Sequence, residues 1–485
     1  MPVGETCITL LHTNDIHSHL EAAAKVAHYV QKVREQVPDD RLLLVDCGDF
    51  LDKSRMETEG TAAGVNRDLL REMRYDALTL GNNEGLTLTY EQLHEYGQSL
   101  DIPIVCANFR PRRPGSKRPD WLVPSLIVRK ANLRIGLIGL TAPFNDYYEL
   151  LGWHAEDPLA AAARELSRLR GEVDIVVVMS HLGLRYDERL AAQVAGIDLI
   201  LGAHTHHLLE KPLYVGRAAM SAAGKFGRHI GHLRLSLTPG SASEAQDKPR
   251  ITVAGGCVPL DDGPSDPAVL RINAAAYAEA RQRMSRTVAK LDKPLKWSAE
   301  AESPLANLLA EAVRIRTDAE IGLVNAGQLL NGLDSGIVTE EIIHAICPSP
   351  INCCSMELTG RQILQVTEQS LLPEFIDLEI RGFGFRGHKL GTLCYDGLSM
   401  TVDPESEPYR KVVEIRINGE PLDLERVYKV GTRDMFTFGV GYVELKEGRN
   451  IRYVLPEFIR HLLCEALADR SLVAASRQSR IAFVR

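Results

Sequence analysis

The chain has 485 residues with 56 Lys+Arg against 64 Asp+Glu, a net charge of −8, and it is 45% hydrophobic and 25% charged. Those proportions belong to a globular protein of two or more domains and exclude collagen-like, disordered and membrane-spanning classes. A mildly acidic balance without a Lys/Arg-rich block offers no footprint for a nucleic-acid polymer, so any phosphate recognition must be local. No stretch approaches the roughly 18 uninterrupted apolar residues of a membrane span, and the apolar run 7–11 lacks the length and basic flank of a secretory leader. A soluble, cytoplasmic protein without membrane attachment is expected. The nine cysteines are scattered without CxxC spacing, which fits reduced thiols better than a disulfide framework or a Cys-ligated zinc.

β-branched or Leu-rich runs at 8–13, 42–47, 77–80, 104–107, 135–141, 175–180, 199–202 and 217–222 predict strands, and amphipathic segments at 22–37, 61–73, 89–100 and 158–169 predict helices between them. Such alternation reads as a layered α/β domain. Residues 110–124 carry four prolines and five basic residues without a period and predict an exposed loop. The polar, turn-rich stretch 238–249 predicts the tip of a hairpin returning along 250–254. A helix at 266–286 precedes a Pro-containing, weakly periodic segment, so the domain organisation is read as 1–264, a linking helical segment 265–295, and a second α+β domain 296–485 that opens with a helix at 304–316. Cys353 and Cys354 are expected as buried small hydrophobes in a strand.

The chemistry lies in the polar residues at the strand ends. Asp15 and His17 come after the first run (Leu11-His12-Thr13-Asn14-Asp15-Ile16-His17), Asp49 after the second (Asp46-Cys47-Gly48-Asp49) and Asn82 after the third (Gly81-Asn82-Asn83-Glu84); His181 ends the sixth, and His204 and His206 come after the seventh. Seven potential metal ligands therefore stand at the same ends of neighbouring strands, where the loops of an α/β sheet converge. One His or Asp at a strand end is ordinarily a cap or a satisfied polar group; only the set carries weight. Carboxylate, amide and imidazole donors without thiolate suit borderline-hard divalent ions such as Mn²⁺, Zn²⁺ or Fe²⁺. Two such ions about 3.5–4 Å apart need a bridging carboxylate, for which Asp49 is the candidate, and would clamp the oxygens of an in-line phosphoryl displacement.

Asp15-x-His17, Gly48-Asp49, Gly81-Asn82, His181 and Gly202-x-His204-x-His206 resemble the five blocks of the calcineurin-like metallophosphoesterases, and the opening LHTNDIH is similar to their 5′-nucleotidase/UDP-sugar hydrolase branch. Further on, the segment 302–309 resembles the helix that opens that family's C-terminal domain. Asn325-Ala326-Gly327 looks like its Asn-Gly-Gly turn, and Gly336-Ile337-Val338-Thr339 and Gly439-Val440-Gly441-Tyr442 like two later blocks. The resemblance implies an α+β protein: a four-layer α/β/β/α sandwich followed by a smaller α+β domain that recognises the organic part of a small phosphorylated substrate. It also implies that Asp15, His17, Asp49 and His206 hold one divalent ion and Asp49, Asn82, His181 and His204 a second, with a hydroxide between them as the nucleophile on a nucleotide or another small phosphate ester or anhydride.

The chain departs from that family at particular places. The family's His after the metal-binding Asn, and the Asp three positions on, are here Asn83 and Leu86. Asn83, in the catalytic position beside Asp49, has no proton to give, so general-acid help of about 10²–10⁴-fold is missing there. The Arg that closes the family's Asn-Gly-Gly turn is Leu330, and the Asp of its Gly-Gly-Asp-Gly-Tyr block is Val440. Candidates for substrate contact are Asn325 and Gly327, the rings of Phe383, Phe385, Phe436 and Phe438, and Arg433, with Arg381, Arg386, His388 and Lys389 as further replacement cations. His12, His19, His207, His229, His232 and Cys47 are expected outside the ligand set. Two readings stand: a dinuclear-metal phosphoesterase, favoured by the complete ligand set, and a catalytically weakened metal-binding protein that binds or senses a phosphorylated ligand.

Overall fold

The computed structural model describes residues 6–113, 115–238 and 250–484. It divides into two units, Met1–Asp52 with Glu57–Ala280, and Lys53–Met56 with Arg281–Arg485. The division falls inside the segment 265–295. Helix Pro267–Arg283 buries Val269, Ala276 and Ala280 and is tied to the first unit by Asn273 Nδ2 donating to Leu20 O at 2.9 Å. Strand Thr287–Leu291 pairs antiparallel with Gly336–Thr339 in the second unit. A strand edge needs a partner for its backbone groups, and neither neighbour was legible as one in the sequence.

In chain order the main strands of the first unit are β1 (Thr6–Thr13), β2 (Leu42–Asp46), β3 (Ala77–Leu78), β4 (Ile104–Val105), β5 (Leu122–Val123), β6 (Ser125–Lys130), β7 (Leu133–Thr141), β8 (Ile175–His181), β9 (Leu199–Gly202), β10 (Leu213–Val215), β11 (Ala218–Ser221), β12 (His229–Thr238) and β13 (Arg250–Pro259). They make two sheets, one ordered β13-β12-β1-β2-β3-β4-β5 and the other β10-β11-β9-β8-β7-β6. Strands β1 to β4 run parallel, as do β7, β8, β9 and β11. Parallel strands require crossover connections, which the helices Leu20–Arg34, Gly64–Glu72, Tyr90–Ser99 and Pro158–Leu169 supply.

Strand periodicity then decides what packs where. Ile8, Leu10, Leu43, Val45 and Ala77 of the first sheet meet Ile135, Leu137, Ile175, Val177, Met179 and Leu199 of the second, so the sheets lie face to face. The alternate residues Ile138, Leu140, Val176, Val178 and Ile200 pack under Ala161, Ala162, Leu166 and Leu169 of the helix Pro158–Leu169. The strands are buried on both faces, which explains their continuous apolar runs. Strands β12 and β13 form the expected hairpin, paired from His229↔Pro259 to Thr238↔Arg250; its expected tip, 239–249, lies outside the described residues.

One expectation differs. Within 110–124, expected as one exposed loop, the chain contributes β5 to the first sheet, and Phe109–Pro111 pairs antiparallel with Trp153–Ala155. Prolines 111 and 124 sit at strand ends, where no ladder donor is needed, so the composition signal for a loop was overridden by pairing. The ligand-bearing strands divide between the two sheets, as the expected α/β/β/α sandwich requires, β1, β2 and β3 lying in one and β8 and β9 in the other.

The second unit centres on a mixed five-stranded sheet ordered Leu393–Asp396, Ile321–Asn325, Val427–Arg433, Asn352–Thr359 and Arg449–Phe458. Helix Pro304–Arg316, buried from Leu305 to Val313, packs on it. Cys353 and Cys354 are fully buried in the strand Asn352–Thr359. The short segment Lys53–Met56 counts with this unit because Lys53 O accepts from His344 Nε2 at 3.0 Å and from Arg460 Nη2 at 3.2 Å.

Candidate metal centre

The centre begins as backbone geometry. Beyond β1 the chain stays clipped to the loop after β2: Cys47 N donates to Thr13 O (2.9 Å), Asp15 N to Gly48 O (3.0 Å), His17 N to Asp49 O (2.8 Å) and Ser18 N to Phe50 O (2.9 Å). This close lacing holds Asp15, His17 and Asp49 in the left-handed region at φ of +50°, +48° and +54°, and His204 and His206 sit there too, at +71° and +58°. Non-glycine residues at positive φ carry a cost that surrounding structure must over-determine. Gly48, at φ +89°, allows the third loop to approach, since a Cβ there would stand 2.3 Å from Gly81 N.

Seven side chains converge as a result. His17 Nε2 lies 3.2 Å from His206 Nε2 and 3.7 Å from both Asp15 Oδ1 and Asp49 Oδ2; His206 Nε2 lies 3.5 Å from Asp15 Oδ1. His181 Nε2 lies 3.4 Å from Asp49 Oδ2 and 3.2 Å from Asn82 Oδ1, which is 2.8 Å from His204 Nδ1. Two triads, Asp15/His17/His206 and Asp15/Asp49/His181, each hold their ligand atoms within 4.8 Å of one another. His181 donates from Nδ1 to Cys47 O at 2.8 Å, which aims Nε2 at the cluster.

The electrostatics favour cations. Asp15 is fully buried and Asp49 only 2% exposed, and the ion pairs of both run to histidines. Burial opposes ionisation of Asp49, but His181 and His17 outweigh it and hold the carboxyl well below the usual carboxylate range. Burial would likewise depress His181, yet the Asp49 carboxylate raises it to about 10, whereas burial drives His204 down to about 4. Buried carboxylates whose only ionic partners are imidazoles are costly, and divalent ions on this oxygen and nitrogen donor set fit better than protons do.

Residues beside the ligands fix them. Glu84, buried in the helix Asn82–Thr87, accepts from Asp49 N (3.0 Å), Gly81 N (2.8 Å) and Leu51 N (3.2 Å). Asn14 Nδ2 donates to Asp15 Oδ2 at 2.8 Å. Asn83 N donates to Asp49 Oδ1 at 2.7 Å, and its side chain turns inward, Nδ2 donating to Leu51 O at 3.0 Å and lying 3.0 Å from His17 Nδ1. Sequence reading passed over Glu84, Asn14 and Asp52; their only signal was proximity to ligands. His12 is buried against Ser221 Oγ (3.0 Å), His232 bonds Tyr29 OH (2.8 Å), His207 bonds Thr205 Oγ1 (2.8 Å) and His19 packs on Phe226.

The residues expected to meet substrate in the second unit separate into two groups. Asn325 is buried with Nδ2 on Leu390 O, and Gly327 lies so close that a Cβ would stand 1.9 Å from Lys389 O. Phe385, Phe436 and Arg433 are core residues, Arg433 bonded to Gln328 and stacked 4.7 Å from Phe436. Phe383 and Phe438 are 53% and 40% exposed and stack with centroids 5.8 Å apart. Of the further cations, Lys389 pairs with Glu300 and Asp377, Arg381 with Glu379, and Arg386 meets Ser54 Oγ.

Residues 8–208 match the calcineurin-like phosphoesterase family and residues 287–445 the 5′-nucleotidase, C-terminal domain. The uncharacterized metallophosphoesterase YunD of Bacillus subtilis is 33% identical over 467 residues, covering 95% of this chain and 99% of its own. The chain belongs to the calcineurin-like metallophosphoesterases. This metallophosphoesterase is also 22% identical over 494 residues to the 5′-nucleotidase of Mus musculus, across 87% of its own length and 81% of that protein. Its fold is that of solved 5′-nucleotidases. The 5′-nucleotidase precursor from Thermus thermophilus aligns with a TM-score of 0.60 at 23% identity over 99% of both chains. The putative 5′-nucleotidase from Staphylococcus aureus aligns at 0.70 and 17%, over 99% of this chain and all of that one. The metallophosphoesterase is thus a metal-dependent phosphoric ester hydrolase with two α+β domains, and no described helix is long and apolar enough to cross a membrane.

Proposed function

We propose that the enzyme holds two divalent ions, Mn²⁺, Zn²⁺ or Fe²⁺, and hydrolyses small phosphate esters or anhydrides with good leaving groups, nucleotides among them. One observation carries the reading: Asp49 Oδ2 lies within 3.7 Å of His17 Nε2 and 3.4 Å of His181 Nε2, two imidazoles of different triads, as a bridging carboxylate must. Asp15, His17 and His206 would hold one ion and Asn82, His181 and His204 the other. Bound there, divalent ions supply Lewis-acid charge to a phosphoryl oxygen and lower the pKa of water to near neutrality. The protein's own share is positioning: Glu84 and Asn83 N fix Asp49, Asn14 and His204 N fix Asp15, and the laced loops hold the imidazoles in place. Metal chemistry is assigned to residues 1–264 and recognition of the organic part of the substrate to residues 296–485, where the exposed Phe383/Phe438 stack suits a flat ring. Nine cysteines free of disulfides support a reducing, cytosolic setting.

Metal analysis after saturation with Mn²⁺ tests the centre. About two ions per chain are expected, with Asp49→Asn lowering both metal content and turnover of an aryl phosphate. One ion or none, with every ligand intact, refutes the dinuclear site.

A further inference from the structure

We propose that Asp52 is a positioning residue for the metal ligand His17, a task the sequence motifs leave unassigned; this rests on the proposed metal-binding role of the site. His17 Nε2 faces His206, Asp15 and Asp49, so Nε2 is the atom that would donate its lone pair to an ion. A nitrogen that does so carries no proton, and the ring proton then resides on Nδ1, which needs an acceptor.

Among the described residues, Asn83 and Asp52 reach Nδ1. Asn83 presents its amide nitrogen at 3.0 Å, an orientation fixed because the same nitrogen donates to Leu51 O at 3.0 Å; turning the amide over would set Oδ1 against that carbonyl. An amide N–H cannot accept. Asp52 presents a carboxylate, Oδ2 at 3.5 Å from Nδ1, with its side chain 3% exposed. Its backbone is pinned as well: Asp52 N donates to Ser18 Oγ at 2.7 Å, and Ser18 Oγ also lies 2.8 Å from Asn66 Nδ2 and 2.7 Å from Thr58 Oγ1. A buried carboxylate so anchored on the far side of an imidazole fixes the ring's tautomer and its aim. The second amide hydrogen of Asn83 can bond only an unprotonated Nδ1; a proton on Nδ1 forfeits that bond and makes Asp52 the acceptor in reach.

The experiment titrates Mn²⁺ into the metal-free full-length protein by calorimetry, for wild type, Asp52→Asn, Asp52→Ala and Asp52→Glu. Asp52→Asn is expected to weaken one of two ions by about 10–100-fold, to leave the other unchanged, and to unfold in the metal-free state at the wild-type temperature; Asp52→Glu restores part of the loss. Unchanged affinities in Asp52→Asn overturn the inference, as does equal weakening of both ions together with a lower metal-free unfolding temperature, which marks a merely structural residue. Nitrogen-15 NMR of the Zn²⁺-loaded wild type gives a readout independent of any variant: the His17 proton is expected on Nδ1, and a proton on Nε2 overturns the inference. Wild type that takes up no Mn²⁺ or Zn²⁺ refutes the metal-binding reading itself, a distinct result.

Discussion

A Cβ on Gly81 would stand 2.1 Å from Asp49 Oδ1 and 2.2 Å from Asp49 N. The loop after β3 therefore rests directly on the carboxylate that faces both triads, and only a hydrogen fits between them. Gly81→Ala must push the loop or the carboxylate away. Overpacking of this kind costs about 1–3 kcal/mol, and the displaced group here is a ligand. Thermal unfolding is expected at a lower temperature, and metal content measured in parallel should fall. An alanine variant with full metal content would show that the two loops are not as tightly coupled as their spacing requires.

Asn83 occupies the position beside Asp49 without an ionisable group, and its amide is committed to Leu51 O. Departing oxygens then receive no proton from it, so kcat/KM should fall steeply as the leaving group becomes more basic, with aryl phosphates and phosphoanhydrides far ahead of alkyl monoesters. A series of phosphate esters of graded leaving-group pKa, assayed under one metal loading, measures the slope. A flat series would mean that another side chain donates the proton or that chemistry is not the slow step.

The exposed stack of Phe383 on Phe438 offers the second unit's clearest flat-ring surface. Replacing either ring by alanine should raise KM for nucleoside phosphates by about tenfold, in line with an aromatic contact worth roughly 1 kcal/mol or more, while KM for a small aryl phosphate stays put. Equal losses on both substrate types would argue for a folding defect instead of lost recognition.

Asp434 is buried in the turn after Arg433, and burial, opposed by the Asn352 N–H and by Arg433, pushes its pKa from 3.8 up to about 7. The folded state thus keeps a proton that the unfolded chain releases near 3.8. Between those values the native state binds more protons, so the group's contribution to stability declines as pH rises and levels off above about 7. Asp434→Asn keeps an acceptor for Asn352 N and does not ionise. The difference in unfolding temperature, variant minus wild type, should therefore grow from about pH 4 to about pH 7.5. A constant difference would place an ionised Asp434 in the folded protein.

Much of this protein was already determined along the chain. Apolar runs such as 175–180 have strand length and β-branched composition, so they announced β8 without reference to anything distant, and the polar residues after each run announced the ligands. The strand Thr287–Leu291 was not legible, because its stability comes from pairing with Gly336–Thr339 across a long sequence gap. Nor was the pairing within 110–124, where β5 exists only because β4 offers it a ladder. The same holds at the metal centre. Ligand identity is a matter of residue type and spacing, which the sequence carries. The supporting groups are decided in three dimensions: Glu84 matters because three backbone N–H groups from two loops converge on it, and Phe383 and Phe438 are exposed where Phe385 and Phe436 are buried. Burial and hydrogen-bond direction are properties of packed neighbours, and no local pattern in the chain encodes them.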